Sequence, residues 1–156
     1  MLSGKYSTVG SSACSDCPGG KYGTGGSTSS SCSGDCTAGY ACPAGSSSNQ
    51  QVTCPIGKYS TGGASSCVDC PGGKYGVGGS TSLACSGDCS AGYACPVSSS
   101  SSQQVTCGTG KYSTTGLSAC IDCPAGSYGG STAMTSLVCS GSCPAGVNVW
   151  LCACIL

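Results

Sequence analysis

Eighteen cysteines stand in this 156-residue chain, and their spacing opens two kinds of sulfur chemistry. Cys-x-x-Cys occurs at Cys14/Cys17, Cys67/Cys70 and Cys120/Cys123, a spacing shared by thiolate ligands of structural zinc and by redox-active dithiols. Zinc is disfavoured because the chain has no His and its cysteines recur in groups of six, which do not divide into four-thiolate sets. A thioredoxin-like role needs a βαβ frame, and no such pattern surrounds the motif. Structural disulfides remain, with no metal and no cofactor expected.

Oxygen chemistry is equally sparse. Asp16, Asp35, Asp69, Asp88 and Asp122 follow the cysteine register, but calcium needs several oxygen ligands gathered at one point, and each repeat offers two lone carboxylates. Ser-Gly-Asp at 33–35 and 86–88 reads instead as a turn in which the aspartate bonds its own backbone. Tyr6, Tyr22, Tyr40, Tyr59, Tyr75, Tyr93, Tyr112 and Tyr128 recur with the same order, and each ring is expected to cover a disulfide as the largest apolar surface in its loop. Catalysis needs a base or a paired acid. With no His, no Glu and no Ser-centred nucleophile motif, no catalytic residue is assigned and the chain is expected not to be an enzyme.

The frame that positions these side chains is a 53-residue repeat. Cys14 to Ser66 and Cys67 to Ala119 agree at about 40 of 53 positions. Cys14, Cys17, Cys32, Cys36, Cys42 and Cys54 return as Cys67, Cys70, Cys85, Cys89, Cys95 and Cys107, and a third copy runs from Cys120 and Cys123 through Cys139 and Cys143. The organisation expected is a partial repeat with a truncated start at 1–13, cysteine-rich repeats at 14–66 and 67–119, a partial repeat at 120–146, and an atypical segment at 147–156. Gly4-Lys5-Tyr6 aligns with Gly57-Lys58-Tyr59, so Met1 stands where the register asks for a cysteine, and the chain is expected to sample a longer array. A period of this size predicts an elongated rod in which each unit contacts its neighbours.

Composition decides what holds such a rod together. Leu, Ile and Val supply 18 residues and Phe none, below the level of roughly 20% at which a hydrophobic interior becomes plausible. Ser and Gly cannot offset an ordering cost of about 1–2 kcal/mol per residue, whereas a disulfide closing a loop of about 15 residues contributes about 3 kcal/mol in the chain-entropy account. The fold class expected is small and disulfide-rich, with short β-hairpins, irregular loops and no helix. Lys58-Tyr59-Ser60 suits a strand, and Gly62-Gly63 a reversal. Each repeat holds two such related loops, while the third segment, from Cys85 to Pro96, crowds three cysteines together and leaves little room for regular structure.

Cys54-Pro55-Ile56-Gly57-Lys58-Tyr59 followed by Cys67-Val68-Asp69-Cys70-Pro71, and again Cys70 to Tyr75, resembles the ephrin-receptor-like cysteine-rich repeats, which are related in style to the modules of tumour-necrosis-factor receptors. Ala91-Gly92-Tyr93-Ala94-Cys95-Pro96 is similar to a segment common in tandem arrays on surface proteins of protists and algae. The resemblance reaches to about Gly146 and implies that each Cys-Pro-x-Gly-Lys-Tyr loop is closed by its own two cysteines. It therefore implies Cys54 with Cys67, Cys107 with Cys120, Cys17 with Cys32, Cys70 with Cys85, Cys123 with Cys139, Cys36 with Cys42 and Cys89 with Cys95. A crossed set, with Cys70 to Cys89 and Cys85 to Cys95, stays open, since six cysteines permit 15 connectivities. Under sequential pairing Cys14 lacks a partner, and one of Cys143, Cys152 and Cys154 is left over, which makes these four the candidates for unpaired or intermolecular bonding.

Disulfides on this scale persist in an oxidising compartment, so a secreted or cell-surface protein is expected. Ser27, Thr28, Ser29, Ser30, Ser31, Ser46, Ser47, Ser48, Ser80, Thr81, Ser82, Ser98, Ser99, Ser100, Ser101 and Ser102 form polar runs at matching places in the repeats and are candidate O-glycan acceptors, the other reading being bare linker. No Asn-x-Ser/Thr sequon is present. Five Lys and five Asp give zero net charge, which excludes a basic patch for nucleic acid, and no apolar run approaches the roughly 18–20 residues of a membrane span. The function these features point to is a non-enzymatic subunit of an extracellular fibril, hair or coat that associates head to tail. A receptor or adhesion ectodomain for a protein or glycan is the alternative.

Overall fold

A single local recipe is used eight times. In a computed structural model that describes residues 2–145, a turn closed by a hydrogen bond from residue i+3 to residue i precedes each first strand from the second hairpin on. The N–H of Lys21 donates to the carbonyl of Pro18 (3.0 Å), that of Tyr40 to Thr37 (3.1 Å), and that of Lys74 to Pro71 (3.1 Å). The third residue of the turn is always glycine with φ between 75° and 87° (Gly20, Gly39, Gly57, Gly73, Gly92, Gly110 and Gly126), as a turn with positive φ at i+2 demands. The Pro-x-Gly-Lys motif is this turn written in sequence.

Each turn delivers a two-residue strand that pairs antiparallel with a second one. The pairs are β1 (Lys5–Tyr6) with β2 (Ser15–Asp16), β3 (Lys21–Tyr22) with β4 (Gly34–Asp35), β5 (Tyr40–Ala41) with β6 (Val52–Thr53), and β7 (Lys58–Tyr59) with β8 (Val68–Asp69). They continue as β9 (Lys74–Tyr75) with β10 (Gly87–Asp88), β11 (Tyr93–Ala94) with β12 (Val105–Thr106), β13 (Lys111–Tyr112) with β14 (Ile121–Asp122), and β15 (Ser127–Tyr128) with β16 (Gly141–Ser142). No helix occurs among the described residues. The 53-residue repeat therefore contains three hairpins rather than two: the crowded third segment, expected to leave little room for regular structure, carries β11, which pairs with β12 in the connector that follows it, and β5–β6 is the same hairpin one repeat earlier. Its strand is the same structure with other residues, because Gly39-Tyr40-Ala41 takes the place of Gly-Lys-Tyr.

The chain forms two compact units, Met1–Cys70 with Gly76–Cys85, and Pro71–Tyr75 with Ser86–Leu156. A lone two-stranded hairpin is marginal in water, and within each unit backbone bonds tie every hairpin to others. In the first unit the N–H of Gly4 donates to Gly23 (2.7 Å), that of Gly23 to Ser46 (2.9 Å) and that of Gly39 to Ser60 (3.0 Å), linking consecutive hairpins. Next-but-one hairpins are joined by Gly45 N–H to the carbonyl of Cys17 and Gly63 N–H to that of Cys36, both 2.9 Å. The second unit repeats the scheme, with Gly92 to Ser113 (2.9 Å), Gly110 to Gly129 (2.9 Å), Gly116 to Cys89 (2.9 Å) and Ala133 to Cys107 (2.8 Å).

The interior is made of sulfur, alanine and serine. Cys17, Cys36, Cys42, Cys54, Cys70, Cys89, Cys95 and Cys107 are buried, with Ala41, Ala94, Tyr112 and Met134. Twelve of the thirteen Leu, Ile and Val side chains among the described residues are exposed, Leu117 being half-buried. Aliphatic burial, the dominant favourable term in an ordinary domain, is therefore nearly absent. Covalent bonds and backbone hydrogen bonds take its place. No buried side-chain nitrogen or oxygen among the described residues lacks a hydrogen-bond partner.

Candidate functional site

The residue that leaves each hairpin is a cysteine. Cys17, Cys36, Cys54, Cys70, Cys89, Cys107, Cys123 and Cys143 each follow a second strand by one position. Seven of them are joined to a cysteine in the next hairpin: Cys17–Cys32, Cys36–Cys42, Cys54–Cys67, Cys70–Cys85, Cys89–Cys95, Cys107–Cys120 and Cys123–Cys139. These are the sequential pairs and not the crossed set. Each bond runs from one hairpin to its successor, so the ladder of disulfides sutures the hairpins in order. Cys143 is disulfide-bonded too, which removes it from the candidates for an unpaired thiol. Cys14 is free and exposed. Cys152 and Cys154, with the atypical segment 147–156, lie outside the described residues.

A second feature is a Lys–Asp pair facing across five of the eight ladders. Lys5 meets Asp16 at 2.6 Å and Lys21 meets Asp35 at 2.5 Å, and Lys58–Asp69, Lys74–Asp88 and Lys111–Asp122 are paired the same way. Every lysine and every aspartate of the chain is thus used in a cross-strand pair. The turn expected around Asp35 and Asp88 is corrected: both lie in strands, β4 and β10, opposite Lys21 and Lys74. Where the pair is lost, both members change together. Tyr40 faces Thr53 and Tyr93 faces Thr106, while Ser127 faces Ser142. These pairs are about half-exposed, where an ion pair contributes about 0–1 kcal/mol, so they serve strand register more than stability.

The tyrosines separate into two classes that their even recurrence hides. Six occupy the second strand position, and Tyr40 and Tyr93 occupy the first, where lysine stands elsewhere. At the second position Tyr22, Tyr75 and Tyr128 face Gly34, Gly87 and Gly141. A Cβ at those glycines would lie 3.4, 3.4 and 3.2 Å from the ring, so the ring covers the backbone of the partner strand. Ala41 and Ala94 fill the equivalent place opposite Val52 and Val105 and are buried.

The serine runs are folded loops. Ser46 and Ser99 are 4% and 3% exposed, and their hydroxyls donate to the carbonyls of Pro43 and Pro96 at 2.6 Å. Ser100 N–H donates to Gln104 Oε1 (3.1 Å) and Gln103 N–H to Ser101 Oγ (3.2 Å); Ser47 with Gln51 and Gln50 with Ser48 repeat the arrangement. A bare flexible linker does not describe this segment. Ser46, Ser80 and Ser99 are buried and are withdrawn as acceptors in the folded chain. Ser27, Ser48, Ser98, Ser100, Ser101, Ser102 and the remaining candidates keep part or all of their surface.

Ser60 and Ser113, which sequence reasoning missed, are buried and donate through Oγ to the carbonyls of Tyr40 and Tyr93, both at 2.7 Å, binding one hairpin to its predecessor. Their recurrence after Lys-Tyr was the available signal. Among the described residues no group of three or more His, Cys, Asp or Glu could hold a metal ion, and no helix is long and apolar enough to cross a membrane. The arrangement as a whole is a surface of paired charges, short polar loops and single aliphatic side chains over a sulfur interior. Comparison with protein-family models gives no match, and comparison with curated proteins gives none either.

Proposed function

We propose that the chain is a structural, non-enzymatic subunit of an extracellular fibril, hair or coat, built from ephrin-receptor-like cysteine-rich repeats and associating head to tail. The observation that carries this reading is the recurrence of one hairpin-to-hairpin bonding scheme, Gly4 to Gly23 and Gly39 to Ser60 in the first unit, Gly92 to Ser113 and Gly110 to Gly129 in the second. A contact that joins unlike faces of successive elements is heterologous, and the same contact made between copies builds open filaments when its rotation does not close. Oxidised cysteines agree with a site of action outside the cell. Exposed Ser and Thr such as Thr28 and Ser101 are the places for O-linked glycans.

Non-reducing and reducing gels of the purified chain, with sedimentation at rising concentration, test the proposal. Species that grow with concentration support it, whereas a monomer at every concentration removes it. One observation favours the receptor or adhesion reading instead: Ile56, Val77, Leu83 and Val97 are more than 60% exposed, and isolated apolar side chains on a rigid frame suit a protein ligand. A monomer that captures one defined surface ligand would establish that alternative.

A further inference from the structure

We propose that the disulfide ladder is the chain's path for tension, and that the loops it closes are stored length released by thiol attack in an order set by burial. The proposal rests on the structural reading above and specifies what such a subunit does when pulled.

The argument starts from covalent topology. Cys17 and Cys32 are 15 residues apart in sequence and 6.0 Å apart in space, Cys54 and Cys67 are 13 residues and 5.6 Å, and Cys36 and Cys42 are 6 residues and 5.8 Å. Tension arriving at Cys17 crosses to Cys32 through sulfur and leaves the intervening loop slack. Short peptides then carry it from Cys32 to Cys36, from Cys67 to Cys70, from Cys85 to Cys89 and from Cys120 to Cys123, with longer ones from Cys42 to Cys54 and from Cys95 to Cys107. Loops bypassed in this way make up roughly two-thirds of the chain between Cys17 and Cys70. The strands add little resistance, since each ladder is two residues long and a single hydrogen bond contributes about 1 kcal/mol net. The limit on extension is therefore sulfur–sulfur bonds.

Release requires a small thiol. Its thiolate attacks one Sγ of the bond, forms a mixed disulfide and expels the other Sγ as thiolate; a second thiol then attacks the mixed disulfide, leaving two protonated cysteines and the oxidised disulfide of the reagent. Access differs along the ladder. Both sulfurs' residues are buried in Cys36–Cys42 and Cys89–Cys95, while Cys32, Cys67, Cys85, Cys120 and Cys139 are each half-buried. Five bonds, closing loops of 13 to 16 residues, therefore yield before the two that close loops of 6 residues. Fully extended, a released 13- to 16-residue loop adds about 40–50 Å and a 6-residue loop about 15 Å.

Molecules exposed at rest to dithiothreitol for graded times, alkylated, then held by their two ends and pulled, test the proposal. Without thiol the record stops short of the full contour; with lengthening exposure it gains steps of about 40–50 Å first and steps of about 15 Å later. Extension to the full contour without thiol overturns the tension path, and short steps arriving as early as long ones overturn the order. The double variant Cys107→Ala/Cys120→Ala must lose one long step and gain that length before thiol is added, whether or not its neighbouring hairpin folds. Assembly plays no part in a single-molecule record, so failure of the filament reading and failure of this one are read separately.

Discussion

Glycine before five of the eight first strands, at Gly4, Gly20, Gly39, Gly73 and Gly92, meets two demands at once. Gly20 has φ +85° and Gly73 φ +86°, and a Cβ at either would sit 2.1 Å from the carbonyl oxygen of Gly63 or Gly116, two hairpins further along the same unit. Gly26 supplies the contrast, with φ +74° and nothing within 4 Å. Gly26→Ala is expected to cost about 1–2 kcal/mol, the penalty of a left-handed L-residue. Gly20→Ala is expected to cost at least about 2 kcal/mol more, because backbone must move to relieve the overlap, and denaturant unfolding of the two variants measures the difference. Equal costs would show that the hairpin-to-hairpin approach is soft. At this scale the cysteine pairs came from the resemblance to ephrin-receptor-like repeats, which implies that each Cys-Pro-x-Gly-Lys-Tyr loop is closed by its own two cysteines; the residues alone left the crossed set open. Sequence reading missed the burial of Ser46, Ser80 and Ser99, since a run of serines looks uniform until Pro43 and Pro96 accept two of the hydroxyls.

A hairpin of two-residue strands is held by what crosses it. Ser127 and Ser142 in β15–β16 stand where Lys and Asp stand in five others, which amounts to a replacement already made by the chain. The double variant Lys21→Ser/Asp35→Ser is therefore expected to fold with a stability within about 1 kcal/mol of the parent, read from the midpoint of thermal unfolding. A loss several times larger would mean the pair does more than set register. Removing a suture is different in kind. Cys54→Ala/Cys67→Ala opens a 13-residue loop and is expected to cost about 3 kcal/mol in the chain-entropy account. Two of the three hairpins in each repeat were legible because Lys-Tyr and Asp-Cys mark their ends. The third was not, since Tyr40-Ala41 displaces tyrosine by one position and a disulfide spanning only 6 residues left no visible room for a ladder. The ion pairs were hidden for a related reason: partners 11 and 14 residues apart share no helical or strand period, and only the hairpin brings them opposite.

For the whole molecule, an interior of cystine rather than aliphatic side chains sets its response to conditions. Reduction and alkylation are expected to abolish the folded state, seen as collapse of amide dispersion in NMR spectra, because 18 Leu, Ile and Val residues cannot offset ordering costs of about 1–2 kcal/mol per residue. Retention of native dispersion after alkylation would show a core that the exposed positions of Val52, Ile56 and Leu83 do not provide. The chain's zero net charge supplies no repulsion to keep copies apart, and low net charge favours association. Assembly is the claim on which the functional reading depends, and electron microscopy of the purified, oxidised chain addresses it most directly. The account predicts filaments that lengthen with concentration and disperse in thiol; discrete single particles at every concentration would contradict it.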